Sequence, residues 1–295
     1  INRFELSTGL LHYSYRVDRY DNYYQYDPST QTIGGGIGSQ HEKLSSSQIT
    51  QSYGTYLNSL GLYQVGGAFV GDNTFWGITA PLNGQRYRLG LEAYSGDYHL
   101  GAYTIDLRRY IRLKPISLAG RLYSYGRFGA DEKKLYPLYV GYDYYIHGYN
   151  PNSFNNNVNV ASTGFNINQL TGSRIAVANF EVRLPFTGPE KLCAIDSKFF
   201  FSDLNAFFDV GIAYYGDSKL SFASQPTVVG SIPAPTPTDP NATSLLYDRI
   251  PVMSAGVSLR INLFGVFIIE PYYAIPFQRT DITFGIFGLN LAPGW

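Results

Sequence analysis

The chain has 295 residues with 22 basic and 22 acidic side chains, so its formal net charge is zero. That balance gives no electrostatic basis for nucleic acid as a partner, and one cysteine, Cys193, excludes an internal disulfide framework. No apolar run approaches the ~18 residues of a membrane-spanning helix, whereas 27 tyrosines, 31 glycines and few charges fit a β protein, soluble or membrane-embedded. The opening INRFELSTGL carries no signal peptide, so the chain is expected to be mature, trimmed or the end piece of something longer.

In chain order, strands are expected at about 3–24, 62–77, 84–96, 100–113, 116–128, 136–149, 173–186, 199–215, 251–262, 265–277 and 279–291. Between 25 and 61 lies a long loop with GGGIG at 34–38, which lacks the strand-to-helix setting of a nucleotide loop. Ile49, Tyr53, Tyr56, Leu57 and Leu60 have helical spacing, which places a short helix within 47–60. Segments 150–172 (Asn-rich) and 216–249 (rich in Pro, Ser and Thr) are the other long loops. Turns such as 78–83 and 278–279 are short, an asymmetry that distinguishes the two rims of a barrel.

Alternation gives each strand one apolar and one polar face. In AVANFEVRLPF, Ala176, Ala178, Phe180, Val182, Leu184 and Phe186 oppose Val177, Asn179, Glu181 and Arg183. Phe208, Val210 and Ile212 oppose Asp209 and Gly211; Phe267, Ile269, Tyr273 and Ile275 oppose Glu270; Met253, Ala255, Val257 and Leu259 oppose Ser254, Gly256, Ser258 and Arg260. Arg86, Arg88 and Glu92 share a phase, as do Asp106, Arg108 and Arg112, with Arg109 the exception. A soluble sandwich also alternates, but these strands run to ten residues or more and carry aromatics near their ends. The expected fold class is therefore all-β, a transmembrane antiparallel β-barrel of about 12 strands, with residues 1–295 forming one domain and charges in the lumen.

The order IHGY, NFEVRLP, FFDVG and SAGVSLRINLFGVFIIEPYYAIPF resembles the C-terminal barrel of the bacterial surface antigen family, the BamA-like superfamily of outer-membrane insertases and translocases. The resemblance covers about 62–295. Upstream, AFVGDNTFWGITAPLNGQRYRLGLEAYSGDYHLGAYTIDLRRY is similar to the variant often fused behind a periplasmic propeller. It implies a bacterial outer-membrane location, a 16-stranded parent barrel of which the matched part is roughly the last ten strands, and a lateral seam closed by 279–291 and the aromatic terminus Trp295.

The resemblance also implies a loop whose Val-Arg-Gly-Phe/Tyr tip folds into the lumen, its Arg pairing with two strand acids. The corresponding tip is Ile146, His147, Gly148 and Tyr149, and the acids are Glu181 and Asp209, with Arg183 and Glu270 in the same luminal network. Histidine stands where the family has arginine, so the lock would titrate near neutrality. The implied partners are outer-membrane lipid and client proteins or envelope-complex subunits, and no cofactor is implied. No upstream POTRA or propeller module falls within 1–295.

The alternatives are a structural or anchoring barrel without insertase activity and, more remotely, an outer-membrane lipolytic enzyme, for which no lipid-facing Ser–His pair presents itself. His12 shares a phase with Ser14 and Arg16 that reads as luminal. Neither it nor His41 or His99 has metal-ligand spacing, and no metal is expected. Cys193 reads as an inert thiol in a turn, and the N-x-T sequon at Asn241 as coincidental.

Overall fold

The computed structural model describes residues 2–30, 32–53, 59–154, 165–233, 243–263, 265, 267–279 and 281–291. Nine strands of ten or more residues and a shorter tenth make one antiparallel meander: β1 Asn2–Tyr13, β2 Leu60–Asp72, β3 Pro81–Gly96, β4 Leu100–Leu113, β5 Ile116–Phe128, β6 Arg174–Gly188, β7 Phe201–Tyr214, β8 Val252–Leu263, β9 Phe267–Pro276 and β10 Ile286–Leu291. Each pairs with its chain neighbour, and two short strands bring the sheet to 12. Alternation is sustained along the strands, and one face is predominantly apolar, with Gln85, Arg109 and His12 among the polar exceptions. No helix among the described residues is long and apolar enough to cross a membrane.

Register places every outward position in line. Arg109 lies opposite Gly120, Gly120 opposite Phe180, Phe180 opposite Phe208 and Phe208 opposite Ala255. One step along, Leu107, Leu122, Ala178 and Val210 form the next row. This face is apolar and open, with Leu6 90% and Val257 51% exposed. The opposite face of β6 to β9 is polar yet buried: Glu181, Arg183, Asp209, Arg260 and Glu270 are each at most 1% exposed. Polar-buried and apolar-exposed is the inverse of a soluble sheet.

The sheet curls far enough for distant strands to share an interior. Thr79, in the turn between β2 and β3, donates its hydroxyl to Asp203 on β7, and Asn262 on β8 donates to the Ile78 carbonyl at 3.0 Å. Those partners lie five and six strands away in sheet order. The fold is an all-β, barrel-like antiparallel sheet. The strand ends joined by the β2–β3, β4–β5, β6–β7 and β8–β9 connections lie at one rim, and those joined by the long β1–β2, β5–β6 and β7–β8 connections lie at the other.

Several elements differ from the sequence expectation. The expected strand 3–24 is broken at 14–17, because Asp18–Asp27 pairs with Thr32–Lys43 as a separate hairpin rather than continuing β1. That hairpin occupies much of the expected 25–61 loop, including GGGIG, and the short helix falls at Ser46–Tyr53. Residues 62–77 contain β2, begun two residues earlier, and a short strand Phe75–Trp76 that turns back on β3. The expected strand 136–149 is absent; only Leu138–Tyr139 bridges, to Thr171–Gly172, and the rest turns inward. Expected loop 216–249 holds a hairpin of Val228–Pro233 with Thr243–Tyr247. Expected strand 279–291 shortens to Ile286–Leu291, since Arg279 is drawn into the loop contacts described below. His12 falls on the outward phase with Phe4 and Leu10, not the luminal one, and Ser14 and Arg16 lie beyond the strand.

Candidate functional site

Residues 140–150 descend from the long-loop rim into the interior. Tyr145 and Ile146 both donate their amides to the Tyr142 carbonyl, at 2.8 and 3.0 Å, which reverses the chain. Gly148 completes the reversal at φ +85°, a conformation costly to residues with a Cβ. Ile146 fills the space above Gly211, where a Cβ would collide with its side chain. With Val140, Tyr149, Ile175, Val177, Ile250 and Val252 it forms the apolar cluster that holds the loop down. The Tyr149 hydroxyl lies 3.0 Å from the Met253 carbonyl and 2.8 Å from Gln278 Oε1. Arg279 caps the tip by donating to the Gly148 carbonyl at 3.1 Å and the Ser153 carbonyl at 2.8 Å.

His147 is the deepest polar group of the tip, 4% exposed. Its Nδ1 lies 2.7 Å from Asp209 Oδ2, and its own backbone amide donates to the same oxygen at 3.2 Å. Asn179 holds the other Asp209 oxygen at 2.7 Å and donates equally to the Tyr145 carbonyl, tying β6 to the loop. The ring is flanked by Phe207 at 4.2 Å and Tyr272 at 4.7 Å between centroids. Its Nε2 lies 4.0 Å from Glu270 Oε2, an ion-pair distance but beyond a hydrogen bond. Burial alone would depress the imidazole pKa; the Asp209 charge and hydrogen bond, with Glu270 and Glu181 beyond, outweigh it and raise the pKa above its ordinary value.

Glu181 is not a direct partner of His147. It accepts Arg183 Nε at 2.6 Å, and Arg260 Nη1 and Nη2 at 3.0 and 2.8 Å. Arg260 also pairs with Glu270 Oε1 at 2.9 Å, and that oxygen accepts the Ser258 hydroxyl at 2.7 Å. The expected two-acid lock therefore becomes His147 on Asp209 with Glu270 beyond, while Arg260 takes the carboxylate of Glu181. The physical reason is reach: imidazole is short and has two donors, whereas a guanidinium presents a fork able to bridge two acids.

The network continues to the other rim. Arg183 donates to the Pro81 carbonyl at 3.3 Å and lies over the Tyr110 ring at 5.4 Å. Thr79 and Ala80 of the same turn, and Leu82 at the start of β3, are buried. The order Pro81, Arg183, Glu181, Arg260, Glu270, His147 is thus a connected polar column with an inserted turn at each end.

The structure brings together Ile146, His147, Gly148, Tyr149, Asp209, Glu181, Arg183 and Glu270. Trp295 and Asn241 lie outside the described residues. Among the described residues no cluster of His, Cys, Asp and Glu is arranged to hold a metal. Sequence reasoning missed Arg260, although its phase was correct; it placed a short turn at 78–83 but not the insertion of that turn into the interior. The signal for Arg260 was a lone arginine on a strand of Ser and Gly, a position that demands a carboxylate across the lumen. No protein-family model matches the chain, and no curated protein matches it.

Proposed function

We propose that the chain is a β-barrel of the bacterial outer membrane, working in the assembly or translocation of outer-membrane proteins in the manner of the BamA-like superfamily. The carrying observation is the loop tip at His147, seated on Asp209 in the interior where the resemblance expects a luminal lock. The apolar outward face supports the membrane reading, since charged groups there would cost ~2–4 kcal/mol at mid-membrane. A client strand would add to an edge. Among the described residues β10 pairs on one side only, with β9, over six residues.

Reconstitution into liposomes with an unfolded barrel client tests this reading: accelerated client folding supports it, and an unchanged rate with co-purified partners present opposes it. A second reading is an anchoring barrel that supports an envelope complex. The polar column fixed by turns at both rims favours it, because such an interior holds its contents in place. Pulldown from membranes distinguishes the two by whether nascent barrels or stable subunits are recovered.

A further inference from the structure

Arg109 is a charged residue on the outward face, where its neighbours Leu107, Ile111, Leu122 and Phe180 are apolar and only Gln85 opposite it is polar. It is exposed on the apolar face of β4, and its hydrogen bond goes to a neutral group, Gln85 Oε1, at 3.1 Å. Among the described residues no carboxylate lies within ion-pair distance. The row through Arg109 continues to Gly120, and a Cβ at Gly120 would meet nothing within 4 Å. The missing side chain opens a groove of about 560 Å³, floored by Gly120 and Ala178 and walled by Leu107, Leu122, Phe180 and Phe208, with Arg109 and Gln85 at one end.

Depth matters to what fits. Arg109 lies four residues before the end of β4 at the short-turn rim. At ~3.3 Å per residue that is roughly 13 Å along the strand. Strand tilt of ~45° reduces it to roughly 10 Å of height. An arginine there buries its stem along apolar surface and lifts its guanidinium to the interface. The groove thus offers an apolar trough for a chain and a planar cation for a phosphate, which guanidinium binds through paired donors.

We infer that this groove is a phospholipid site in the leaflet on the short-turn side, with the lipid phosphate on Arg109 and an acyl chain lying over Gly120. The inference rests on the membrane reading above. Charge complementarity selects the occupant: an unpaired cation at the mouth of an apolar trough matches an anionic headgroup bearing a hydrocarbon tail, and matches neither a free anion nor an apolar helix.

The test is native mass spectrometry of the protein released from vesicles containing phosphatidylglycerol, with vesicle flotation run in parallel. Wild type is expected to retain one phosphatidylglycerol, with R109Q and G120L each reducing retention at least ~10-fold, a factor equivalent to about 1.4 kcal/mol. G120L keeps the charge and fills open space, so it separates the trough from simple electrostatics. Equal retention by wild type and both variants, all of which float, would overturn the site while leaving the membrane reading intact. Displacement of the lipid by millimolar inorganic phosphate would overturn it too, by showing a bare anion site. Failure of every protein to float would instead sink the membrane reading, and the site with it.

Discussion

His147 Nδ1 lies 2.7 Å from Asp209 Oδ2, joining residues 62 positions apart at the bottom of an inserted loop. Carboxylate charge reaches this ring from three strands: Asp209 on β7, Glu270 on β9 and, further off, Glu181 on β6. The cations beside that group are already engaged, Arg260 by Glu181 and Glu270 and Arg183 by Glu181. The pair is therefore strongest with the imidazole protonated.

The first prediction concerns pH. A histidine whose folded pKa exceeds its unfolded value of ~6.5 gives stability that is full below ~6.5 and is lost as pH rises through the folded value. The His147 imidazole should titrate above 6.5 by NMR, and Asp209→Asn should bring it down because burial then dominates. His147→Arg, permanently charged, should remove the pH dependence of loop stability across that window. A His147 titration at or below 6.5 in the wild type contradicts the pairing.

Glu181 carries the second prediction. Glu181→Gln leaves Arg183 and Arg260 buried with no carboxylate between them, and such a loss costs about 3–5 kcal/mol. The urea midpoint of the reconstituted protein should fall accordingly. Glu42→Gln, at an exposed pair with Arg19, should change it by less than ~1 kcal/mol.

Gly211 offers a steric test. A side chain there would occupy the volume of Ile146, so Gly211→Val should expel the loop tip while leaving the strand phase unchanged. Planar-bilayer conductance should rise relative to wild type. An unchanged, closed conductance would mean that Ile146 does not help close the interior.

The outward face is tested by Val257, near the middle of β8 and 51% exposed. Val257→Arg should destabilise the protein in bilayers by about 2–4 kcal/mol. A surface washed by water would tolerate the change within ~0.5 kcal/mol.

Period-two alternation made the strand faces legible, because a one-residue slip would exchange Phe180 with Glu181 and invert the whole face. It also misled. In YDYYIHGYN, Asp143, Tyr145, His147 and Tyr149 alternate as a strand would, and they do point to interior partners, but from turns rather than a ladder. An aromatic loop packed inside a sheet meets the same demand for alternate burial as a strand, so composition cannot separate them. The hairpin Asp18–Asp27 with Thr32–Lys43 escaped notice because its second strand holds four glycines, which read as loop. Arg260 and the turn 77–82 depended on contacts 79 to 184 residues apart, which no local pattern encodes.

Residues 142–149 are locked inside the barrel through His147 and Asp209. Hydrogen exchange of the reconstituted protein at pH 6 reads that lock most directly, since the His147 amide itself donates to Asp209. Strong protection across 142–149 in the wild type, lost in Asp209→Asn while β6 to β8 stay protected, is the predicted result. Rapid exchange of that segment in the wild type, as fast as in Asp209→Asn, would contradict it.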